Sequence, residues 1–560
     1  MKYTLGIDFG TLSGRCVVVN VETGEEVAVS VFEYPHGVMD KSLPDGHPLG
    51  VDWQLQHPQD YIDVIKNAVP DAIRQAGINA DDVIGIGTDF TACTMLPVDE
   101  DGIPLCFKEE FRSEPNAYVK LWKHHAAQKY ADKLNETAEK RKEGFLRRYG
   151  GKISSEWMVP KVWQTLDEAP KVYEHTFSFL EAADWIVLYL AGVMKRNCSS
   201  AGYKAMWSKK EGYPGKEFFK ALDPRLENLV EDKFRGEIVS VGQRAGGLRK
   251  EVALETGLKE GTAVSVGHLD AAGATIGAKI VEPGKMLIMM GTSSCHMLIG
   301  EKETNVPGMC GMVRDGLIPG AIGYEAGQSC VGDHFQWAVE NCTPAAYKEE
   351  AEQKGMNLHQ YLSELASMQE VGENGLIALD WWNGNRSVLV DGKLSGMLVG
   401  MTLQTKPEDI YRALIESTAY GTRLIIETFI EHGVPVNEII IAGGIAEKNP
   451  FAMQVYADVT GKTIKIAGSR QNAALSSAIW AAIAAGKEKG GYDSAEEAAA
   501  CMGNLKDKTY GPNMENHKAY NELYREYMVL HDYFGRGENN VMKRLKNMQE
   551  EIYRRKTGGK

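Results

Sequence analysis

Apolar residues in the first ninety positions occur in short clusters and alternations separated by glycine turns. Clusters and alternations of this length, bounded by turn residues, are typical of strands. The longer stretch between the third and fourth such segments predicts a helix. The order is therefore strand, strand, strand, helix, strand, at residues 3–9, 15–21, 26–34, 57–77 and 83–89.

A related pattern returns in the second half of the chain. A strand hairpin is predicted at residues 285–299, and a long amphipathic helix at residues 407–432 opens with Pro407, which is favoured in a first helical turn. Further strands and helices then alternate, at residues 438–442, 451–459, 463–467 and 473–485. Two α/β halves are therefore predicted. Because no low-complexity linker separates them, we expect the halves to pack on each other around a cleft.

Two polar stretches are predicted to lie at the surface. Residues 136–148 form a charged helical stretch, which is more typical of a solvated face than of a binding element. The tail after Met514 is predicted as a polar helix that braces the surface.

Length, charge and cysteine content narrow the class of protein. A chain of 560 residues is too long for a single core. The net charge of −14 repels phosphate backbones, so we expect no nucleic-acid partner. Nine scattered cysteines without a CxxC pair suit a reducing compartment. Since neither a signal peptide nor a membrane span is evident, we expect a cytoplasmic protein without membrane contact.

The first candidate for chemistry is the turn after the first strand. Asp8 ends a buried strand, where a carboxylate needs a partner. Thr11, Leu12 and Ser13 then expose backbone N–H groups and hydroxyls suited to a phosphate, and Arg15 adds a cation. One interpretation is a phosphate-binding turn in which Asp8 holds Mg²⁺. The alternative is an ordinary hairpin whose aspartate caps its own turn.

Two further glycine turns follow apolar strands, namely Gly291-Thr292-Ser293-Ser294 and Gly443-Gly444. Each is weak evidence alone, because such turns also serve as plain strand connections. Other nucleotide motifs are incomplete. Gly461-Lys462-Thr463 imitates the end of a P-loop without its upstream glycine, and Gly85-Ile86-Gly87 lacks the third glycine of a dinucleotide fingerprint.

Asp270 is the candidate general base. It follows a strand at the junction between the two halves and precedes Ala271-Ala272-Gly273. A carboxylate in that position can accept the proton of a hydroxyl group. A helix N-cap is the commoner role for an aspartate before alanine-rich sequence, so both interpretations stay open.

These residues stand in the order found in the FGGY carbohydrate kinases, which belong to the actin/hexokinase/Hsp70-like ATPases. The chain resembles that family over nearly its whole length, and residues 396–416 are similar to its C-terminal signature. The resemblance implies two ribonuclease-H-like α/β domains around a central cleft. Residues 1–278 would form the sugar-binding domain, and residues 279–560 the nucleotide-binding domain with a helical tail.

The resemblance also implies roles for individual residues. Asp270 would be the catalytic base, and Asp8 would serve Mg²⁺. The nucleotide contacts implied for ATP are Thr11, Leu12, Ser13, Arg15, Thr292, Gly332, Gln336, Gly444 and Asn449. The expected sugar contacts are polar groups in the segments where relatives hold polyols, namely Asp89, Thr91, Glu156 and Lys161.

Several segments are similar to the family members that phosphorylate ribulose, among them residues 88–94 and 379–386. Glycerol kinases carry Arg-Glu, and xylulokinases Met-His, where this chain has Phe90-Thr91. The resemblance therefore implies ATP-dependent phosphorylation of the terminal hydroxyl of ribulose in L-arabinose degradation, with a homodimer as a candidate assembly. The alternatives are another FGGY kinase acting on xylulose, ribitol or glycerol, a chaperone-like or filament-forming ATPase, and a non-catalytic sugar sensor.

Overall fold

A computed structural model describes residues 1–556 of the chain. It contains the following strands, in chain order: β1 Tyr3–Phe9, β2 Ser13–Asn20, β3 Glu26–Glu33, β4 Leu55–Gln56, β5 Val83–Phe90, β6 Met95–Val98, β7 Val119–Lys120, β8 Ser178–Glu181, β9 Lys195–Asn197, β10 Glu237–Val239, β11 Arg244–Gly247, β12 Ala263–Ser265, β13 His268–Leu269, β14 Gly284–Met290, β15 Ser294–Gly300, β16 Gly311–Arg314, β17 Ile322–Gln328, β18 Ile377–Leu379, β19 Met397–Val399, β20 Val436–Ala442, β21 Thr463–Ala467 and β22 Leu505–Tyr510.

The α-helices lie between and after these strands. They are α1 Pro58–Ala76, α2 Gln128–Arg141, α3 Met158–Glu168, α4 Pro170–His175, α5 Ala182–Ala191, α6 Cys198–Lys204, α7 Lys216–Leu222, α8 Leu229–Lys233, α9 Lys250–Thr256, α10 Asp270–Gly273, α11 Gly332–Asn341, α12 Ala345–Gln353, α13 Leu358–Ser367, α14 Pro407–Glu431, α15 Gly444–Lys448, α16 Pro450–Thr460, α17 Asn472–Ala485, α18 Ala495–Met502, α19 Met514–Gly535 and α20 Val541–Lys556. Among these described residues, no helix has the length and apolar character needed to cross a membrane.

Two mixed sheets form the centres of two α/β domains. The first has the order β11-β12-β5-β1-β2-β3, with β13 also paired to β5, and the second has the order β16-β17-β15-β14-β20-β21-β22. In each sheet an antiparallel hairpin (β1 with β2, β14 with β15) is extended by a strand parallel to its first member, β5 or β20. The predicted α/β fold with two related halves is therefore confirmed.

Helix α17 lies between the sheets. It packs against β1 and β5, where a methyl group on Gly6 or Gly87 would come within 1.7 Å of the Ala474 carbonyl oxygen or 1.9 Å of the Ser477 carbonyl oxygen. Only glycines let the helix approach the strands so closely. The glycines of Gly85-Ile86-Gly87 thus serve the packing of α17 on the strand.

A shared apolar core joins the two domains around this helix. Val17 and Val19 from the first sheet, Leu287 and Ile440 from the second, and Ile479 of α17 belong to one buried cluster. Each domain also has a separate core on the outer side of its sheet. No observation tests the predicted boundary at residue 278, which lies between α10 and β14 and stays a prediction. Residues 557–560 of the second predicted domain lie outside the described residues.

The two polar stretches differ from their predictions. Helix α2 ends at Arg141 because Lys142 adopts a left-handed conformation with φ 55°, and a 3₁₀ helix follows at Gly144–Tyr149. Phe145 and Tyr149 are buried, so this stretch is not simply a solvated face. The tail forms two helices, α19 and α20, and three tyrosines of α19 are buried in the second domain's core, namely Tyr520, Tyr524 and Tyr527.

Candidate active site

The turn at residues 10–13 joins β1 to β2 at one end of the first sheet. The indole N–H of Trp122 donates to the Thr11 hydroxyl at 3.2 Å, and the Gln56 amide donates to the Thr11 carbonyl oxygen at 2.8 Å. The side chain of Leu12 is exposed at the tip of the turn. These hydrogen bonds fix the conformation of the turn, so its backbone N–H groups are held in position to bind an anion.

Ser13 and Arg15 continue from this turn along β2. The Arg15 guanidinium donates through Nη1 to Gln471 Oε1 at 2.9 Å, and its Nε lies 3.3 Å from Asp8 Oδ2. Gln471 immediately precedes α17. Arg15 thus links the first turn, the Asp8 carboxylate and the helix between the domains.

The turn at residues 291–294 has the equivalent place in the second sheet, between β14 and β15. The N–H of Val331 donates to the Thr292 carbonyl oxygen at 2.8 Å, and the N–H of Gly332 donates to the Gly291 carbonyl oxygen at 3.0 Å. Gly332 is also the first residue of α11. The structure therefore brings together Thr292 and Gly332, two predicted nucleotide contacts from separate segments.

A buried chain of hydrogen bonds supports the second turn from the tail. The Ser294 hydroxyl donates to Gln328 Oε1 at 3.3 Å, the Gln328 amide donates to Asp380 Oδ2 at 2.9 Å, and the Tyr527 hydroxyl donates to Asp380 Oδ1 at 3.1 Å. The prediction that the tail only braces the surface is therefore too narrow. Sequence periodicity could not show that a tyrosine of α19 contacts Asp380, which directly follows β18.

A cavity of about 350 Å³ opens beside the second turn. Its lining includes the predicted residues Gly332, Gly444 and Asn449, together with apolar Phe335 and Ile445. A methyl group on Gly444 would meet no atom within 4 Å, so the backbone there is open to a ligand. The volume and the mainly apolar lining suit a flat heterocycle held by a few polar groups.

Two predicted nucleotide contacts, Asn449 and Gln336, already form hydrogen bonds within the protein. The Asn449 side chain accepts from the Ala452 N–H at 3.0 Å and donates to the Ser363 hydroxyl at 2.9 Å. Gln336 lies at the rim, where its Oε1 is 3.0 Å from His359 Nε2. His359 lines the cavity, so Gln336 is connected to it through this ring.

Three carboxylates meet where neighbouring strands of the first sheet end. Asp8 and Asp89 are direct register partners on the parallel strands β1 and β5. The short strand β13 pairs with the end of β5 and leads directly into Asp270. Because the ends of parallel strands share one edge of a sheet, the register places all three acids beside the first turn.

Burial dominates the protonation of these acids. It raises the pKa of Asp270 to about 7, an effect to which the neighbouring Asp8 charge adds. Burial also raises the pKa of Asp89 well above its usual value and that of Asp8, against the opposing charge of Arg15. A carboxyl group that titrates near pH 7 is suited to take a proton from a hydroxyl group.

The N-cap alternative for Asp270 does not match the geometry. Leu269 occupies the N-cap position of α10, and Asp270 is the first helical residue. Its Oδ1 accepts the N–H of Ala271, the next residue, at 2.7 Å. The carboxylate is therefore oriented by its own short helix without capping it in the usual way.

The four expected sugar contacts divide into two pairs. Thr91 and Glu156 are half-buried at the cleft, where Thr91 Oγ1 lies 2.8 Å from Thr94 Oγ1 and Glu156 Oε1 lies 3.0 Å from His125 Nε2. Burial would raise the pKa of Glu156, but this hydrogen bond and the Arg386 guanidinium lower it.

Asp89 and Lys161 are enclosed behind the wall of the cleft. Asp89 is 1% exposed and accepts the Ser477 hydroxyl at 2.6 Å. The Lys161 ammonium group is fully buried and donates to the carbonyl oxygens of Cys93 and Leu121 at 2.6 and 2.8 Å. Direct contact of either side chain with a sugar stays a prediction, and this enclosure favours a positioning role.

Two further groups in the cleft were missed by sequence reasoning. Lys204, at the end of α6, forms a buried ion pair with Glu325 of β17, with Nζ–Oε distances of 2.8 and 3.0 Å. Although burial alone would lower it, the Glu325 carboxylate raises the pKa of Lys204. Both charges also influence Asp270 electrostatically, so the pair lies near that carboxylate. The available signal was Glu325 itself, an acid inside a wholly buried strand.

Both halves of the chain match one known sequence family. The N-terminal domain of the "FGGY family of carbohydrate kinases" matches residues 3–277, and the C-terminal domain of the same family matches residues 286–485. The chain belongs to the FGGY family of carbohydrate kinases. The resemblance noted in the sequence is thereby confirmed, and membership implies ATP as a substrate. Helices α19 and α20 of this FGGY kinase lie beyond the matched residues.

Individual relatives match at full length. A ribulokinase from Geobacillus thermodenitrificans is 58% identical over 550 residues, covering 98% of this chain and 97% of that protein. A ribulokinase from Mycolicibacterium smegmatis is 50% identical over 562 residues, covering 100% of this chain and 98% of that protein. A ribulokinase from Staphylococcus aureus is 37% identical, covering 98% and 100% of the two chains.

Solved structures agree on the fold. A xylulose kinase from Lactobacillus acidophilus superposes with a TM-score of 0.77 at 17% identity, covering 95% of this chain and 98% of that one. Plasmodium falciparum glycerol kinase with ADP gives a TM-score of 0.75 at 15% identity, with the same coverage. The two-domain architecture is thus that of the FGGY kinases.

Proposed function

We propose that this FGGY kinase transfers the γ-phosphoryl group of ATP to the terminal hydroxyl of ribulose. The observation that carries the proposal is the position of Asp270, whose carboxylate titrates near pH 7 in the cleft beside the first turn. The ribulokinases that match this chain over nearly its full length support ribulose as the acceptor. Its place in L-arabinose degradation and in the cytoplasm, and a homodimeric assembly, remain predictions.

Asp270 is the proposed general base. In its ionised form it accepts the proton of the sugar hydroxyl while that oxygen attacks the γ-phosphorus in line and the bond to the β-phosphate oxygen breaks. The helix N–H of Ala271 holds one carboxylate oxygen at 2.7 Å. The other oxygen is therefore the one that takes the proton.

The nucleotide is proposed to lie between the two Gly-Thr turns. Backbone N–H groups and hydroxyls at Thr11, Leu12 and Ser13, with the Arg15 cation, would contact phosphate oxygens from the first domain. Thr292 and Gly332 would contact them from the second. The adenine ring of the nucleotide would enter the 350 Å³ cavity against Gly444 and Asn449, with Gln336 at the rim.

The residues at the first turn fit a magnesium ion that arrives with the nucleotide. Within residues 1–556 no group of three or more His, Cys, Asp or Glu side chains is placed to hold a metal alone. Mg²⁺ is commonly held by one or two carboxylates together with phosphate oxygens and waters. Asp8 would supply the carboxylate, since its side chain is 15% exposed beside the turn. The bound ion would neutralise charge on the β- and γ-phosphates.

Sugar hydroxyls are proposed to meet Thr91 and Glu156 from the first domain and the Lys204–Glu325 pair from the cleft wall. A buried ion pair offers both donors and acceptors, which is what a polyol needs if no polar group is to stay unpaired. Asp89 and Lys161 are assigned as positioning residues behind these contacts. Closure of the cleft would exclude water, a competing phosphoryl acceptor.

A coupled ADP-release assay over a panel of acceptors tests this function. L-Ribulose, D-ribulose, xylulose, ribitol and glycerol are compared at equal concentration with ATP and Mg²⁺. We expect kcat/KM to be highest for a ribulose stereoisomer. A higher value for xylulose, ribitol or glycerol would assign the chain to another FGGY specificity, and ADP release independent of every acceptor would contradict a kinase role.

The raised pKa of Asp270 predicts the pH dependence of activity. We expect kcat/KM to rise with pH and to level off above about pH 7, because only the carboxylate accepts the proton. The same shift predicts that stability falls as pH rises, because between the ordinary pKa of 3.8 and the raised pKa of about 7 the unfolded chain releases this proton before the folded protein does. The melting temperature of wild type relative to Asp270→Asn should therefore fall between about pH 4 and 7 and stay constant above that range. A flat activity profile together with a constant difference in melting temperature would contradict the shifted pKa.

The Ser477–Asp89 hydrogen bond predicts how a positioning residue should behave. Ser477→Ala removes a buried donor from α17 without changing the cleft wall, so we expect about 1–2 kcal/mol loss in the free energy of unfolding and an unchanged KM for ribulose. Asp89→Ala should lose at least as much stability. If Asp89 contacts the sugar directly, Asp89→Ala should weaken ribulose binding by about 1.5–3 kcal/mol, whereas Ser477→Ala should not weaken it. Urea unfolding and calorimetric titration with ribulose separate the two outcomes.

A further inference from the structure

Arg386 lies near the Glu156 and Glu325 carboxylates without forming an ion pair with either. Its guanidinium makes one weak hydrogen bond, from Nη1 to the Cys295 sulfur at 4.0 Å, and takes part in no ion pair among the residues that the structure describes. The side chain is half-buried. An arginine that is partly removed from water normally finds a carboxylate or several carbonyl oxygens, so this one has spare donors in a functional cleft.

The register of the second sheet shows where the guanidinium lies. On the antiparallel strands β15 and β17, Cys295 is opposite Gly327, and Met297 is opposite Glu325. Side chains two residues apart share one face of a sheet, about 6–7 Å apart. Arg386 lies over the Cys295–Gly327 pair, one step from Glu325 toward the turn at residues 291–294.

The neighbouring residues fix Arg386 in this place. A methyl group on Gly327 would come within 3.3 Å of Arg386 Cδ and 3.4 Å of its Nη1, so the glycine leaves space for the arginine over the strand. The N–H of Gly327 also donates to the hydroxyl of Ser387, the next residue, at 3.2 Å. The backbone beside Arg386 is thus tied to the same glycine.

Under the proposed function, Glu325 and the turn at residues 291–294, which lie on either side of Arg386 along the sheet, have different ligands. Glu325, with Lys204 and Asp270, faces the sugar hydroxyl, whereas the turn containing Thr292 faces the nucleotide phosphates. Asp270 and Arg386 both influence the Cys295 thiol electrostatically, so the base and the arginine both lie near this side chain. The group that passes between hydroxyl and nucleotide is the phosphoryl group itself.

We propose that Arg386 is a catalytic residue that contacts the transferred phosphoryl group through its free guanidinium N–H groups. A planar fork of N–H donors matches two oxygens of a phosphoryl group, and it stabilises the charge spread over those oxygens in the transition state. The assignment rests on the proposed function, because it requires a phosphoryl group to cross the space between Asp270 and the second turn.

Arg386→Gln and Arg386→Lys test the assignment in the full-length protein. We expect kcat to fall about 10²-fold in the glutamine variant, as when one transition-state donor is lost, and by a smaller factor in the lysine variant, which keeps the charge without the fork. The KM values for ribulose and ATP should stay within about threefold of wild type. Affinity for ADP with aluminium fluoride and ribulose, a mimic of the transferring group, should fall as kcat/KM does.

Arg423→Lys is the matched control, since Arg423 is a half-buried arginine of α14 that pairs with Glu427 away from the cleft. Its kcat should not change. An unchanged kcat in both Arg386 variants would overturn the proposal, and so would a loss confined to the KM for ribulose, which would indicate a sugar contact across the cleft with Glu156. If Arg386→Gln does not fold, the lysine variant decides. Absence of wild-type turnover with ribulose would contradict the proposed function itself.

Discussion

Asp270→Asn is expected to lower kcat by about 10³-fold while the protein stays folded and binds ATP. Asparagine keeps the size of the side chain and can still accept the N–H of Ala271. It cannot take the proton of the sugar hydroxyl, so only the chemical step should suffer. Because a buried charge is removed, the melting temperature at pH 8 should equal or exceed that of wild type.

Steady-state kinetics with ribulose, together with nucleotide titration and thermal unfolding, measure these effects. Asp71→Asn is a matched control that should leave kcat unchanged, because Asp71 is a half-buried residue of α1 that pairs with Arg74. Turnover of Asp270→Asn close to that of wild type would return Asp270 to a purely structural role. A large loss of ATP affinity in a folded variant would place the carboxylate beside the nucleotide instead.

Asp8→Ala should have the second large effect. We expect kcat at about 1 mM Mg²⁺ to fall at least 10²-fold, because the ion would lose its carboxylate anchor beside the phosphates. Ribulose affinity without nucleotide should change less than twofold, since the proposed sugar contacts lie elsewhere in the cleft. The Mg²⁺ concentration giving half-maximal rate should rise, which activity titrations in the metal measure directly.

The Arg15→Lys variant tests whether the effect of Asp8→Ala comes from the lost metal ligand or from the disturbed contact with Arg15 at the same turn. Arg15 Nε lies 3.3 Å from Asp8 Oδ2, so removing Asp8 also leaves this guanidinium without its carboxylate. The lysine variant keeps a cation, and we expect its Mg²⁺ dependence to match that of wild type. Equal losses of ribulose and Mg²⁺ affinity in Asp8→Ala would contradict the placement of Asp8 at the metal.

The parts of the site that could be predicted from sequence are those encoded within a few consecutive residues. The strand–turn–strand at Asp8 to Arg15 carries its own glycine and hydroxyls, and the same holds for the turn containing Thr292. Asp270 follows a strand directly, so its place at a strand end could be predicted too. Strand and helix bounds were close for the same reason, as for residues 463–467, which form β21 as predicted.

What could not be predicted depends on contacts between distant segments. The Lys204–Glu325 ion pair joins residues 121 positions apart, and Tyr527 reaches Asp380 across 147 positions. No local pattern distinguishes Lys204 from other lysines on helices. The enclosure of Asp89 arises only because α17, from the second half of the chain, packs onto β1 and β5. Ser477 of α17 then donates a hydrogen bond to Asp89, which the sequence had predicted as a sugar contact.

The central claim is that the acceptor of the phosphoryl group is the terminal hydroxyl of ribulose. Phosphorus and carbon NMR of the reaction of the full-length protein with ATP, Mg²⁺ and carbon-labelled ribulose tests it directly. The account predicts one phosphomonoester whose phosphorus couples to the C5 carbon, formed in equal amount to ADP. Inorganic phosphate with unmodified ribulose, or a phosphate on another carbon, would contradict it.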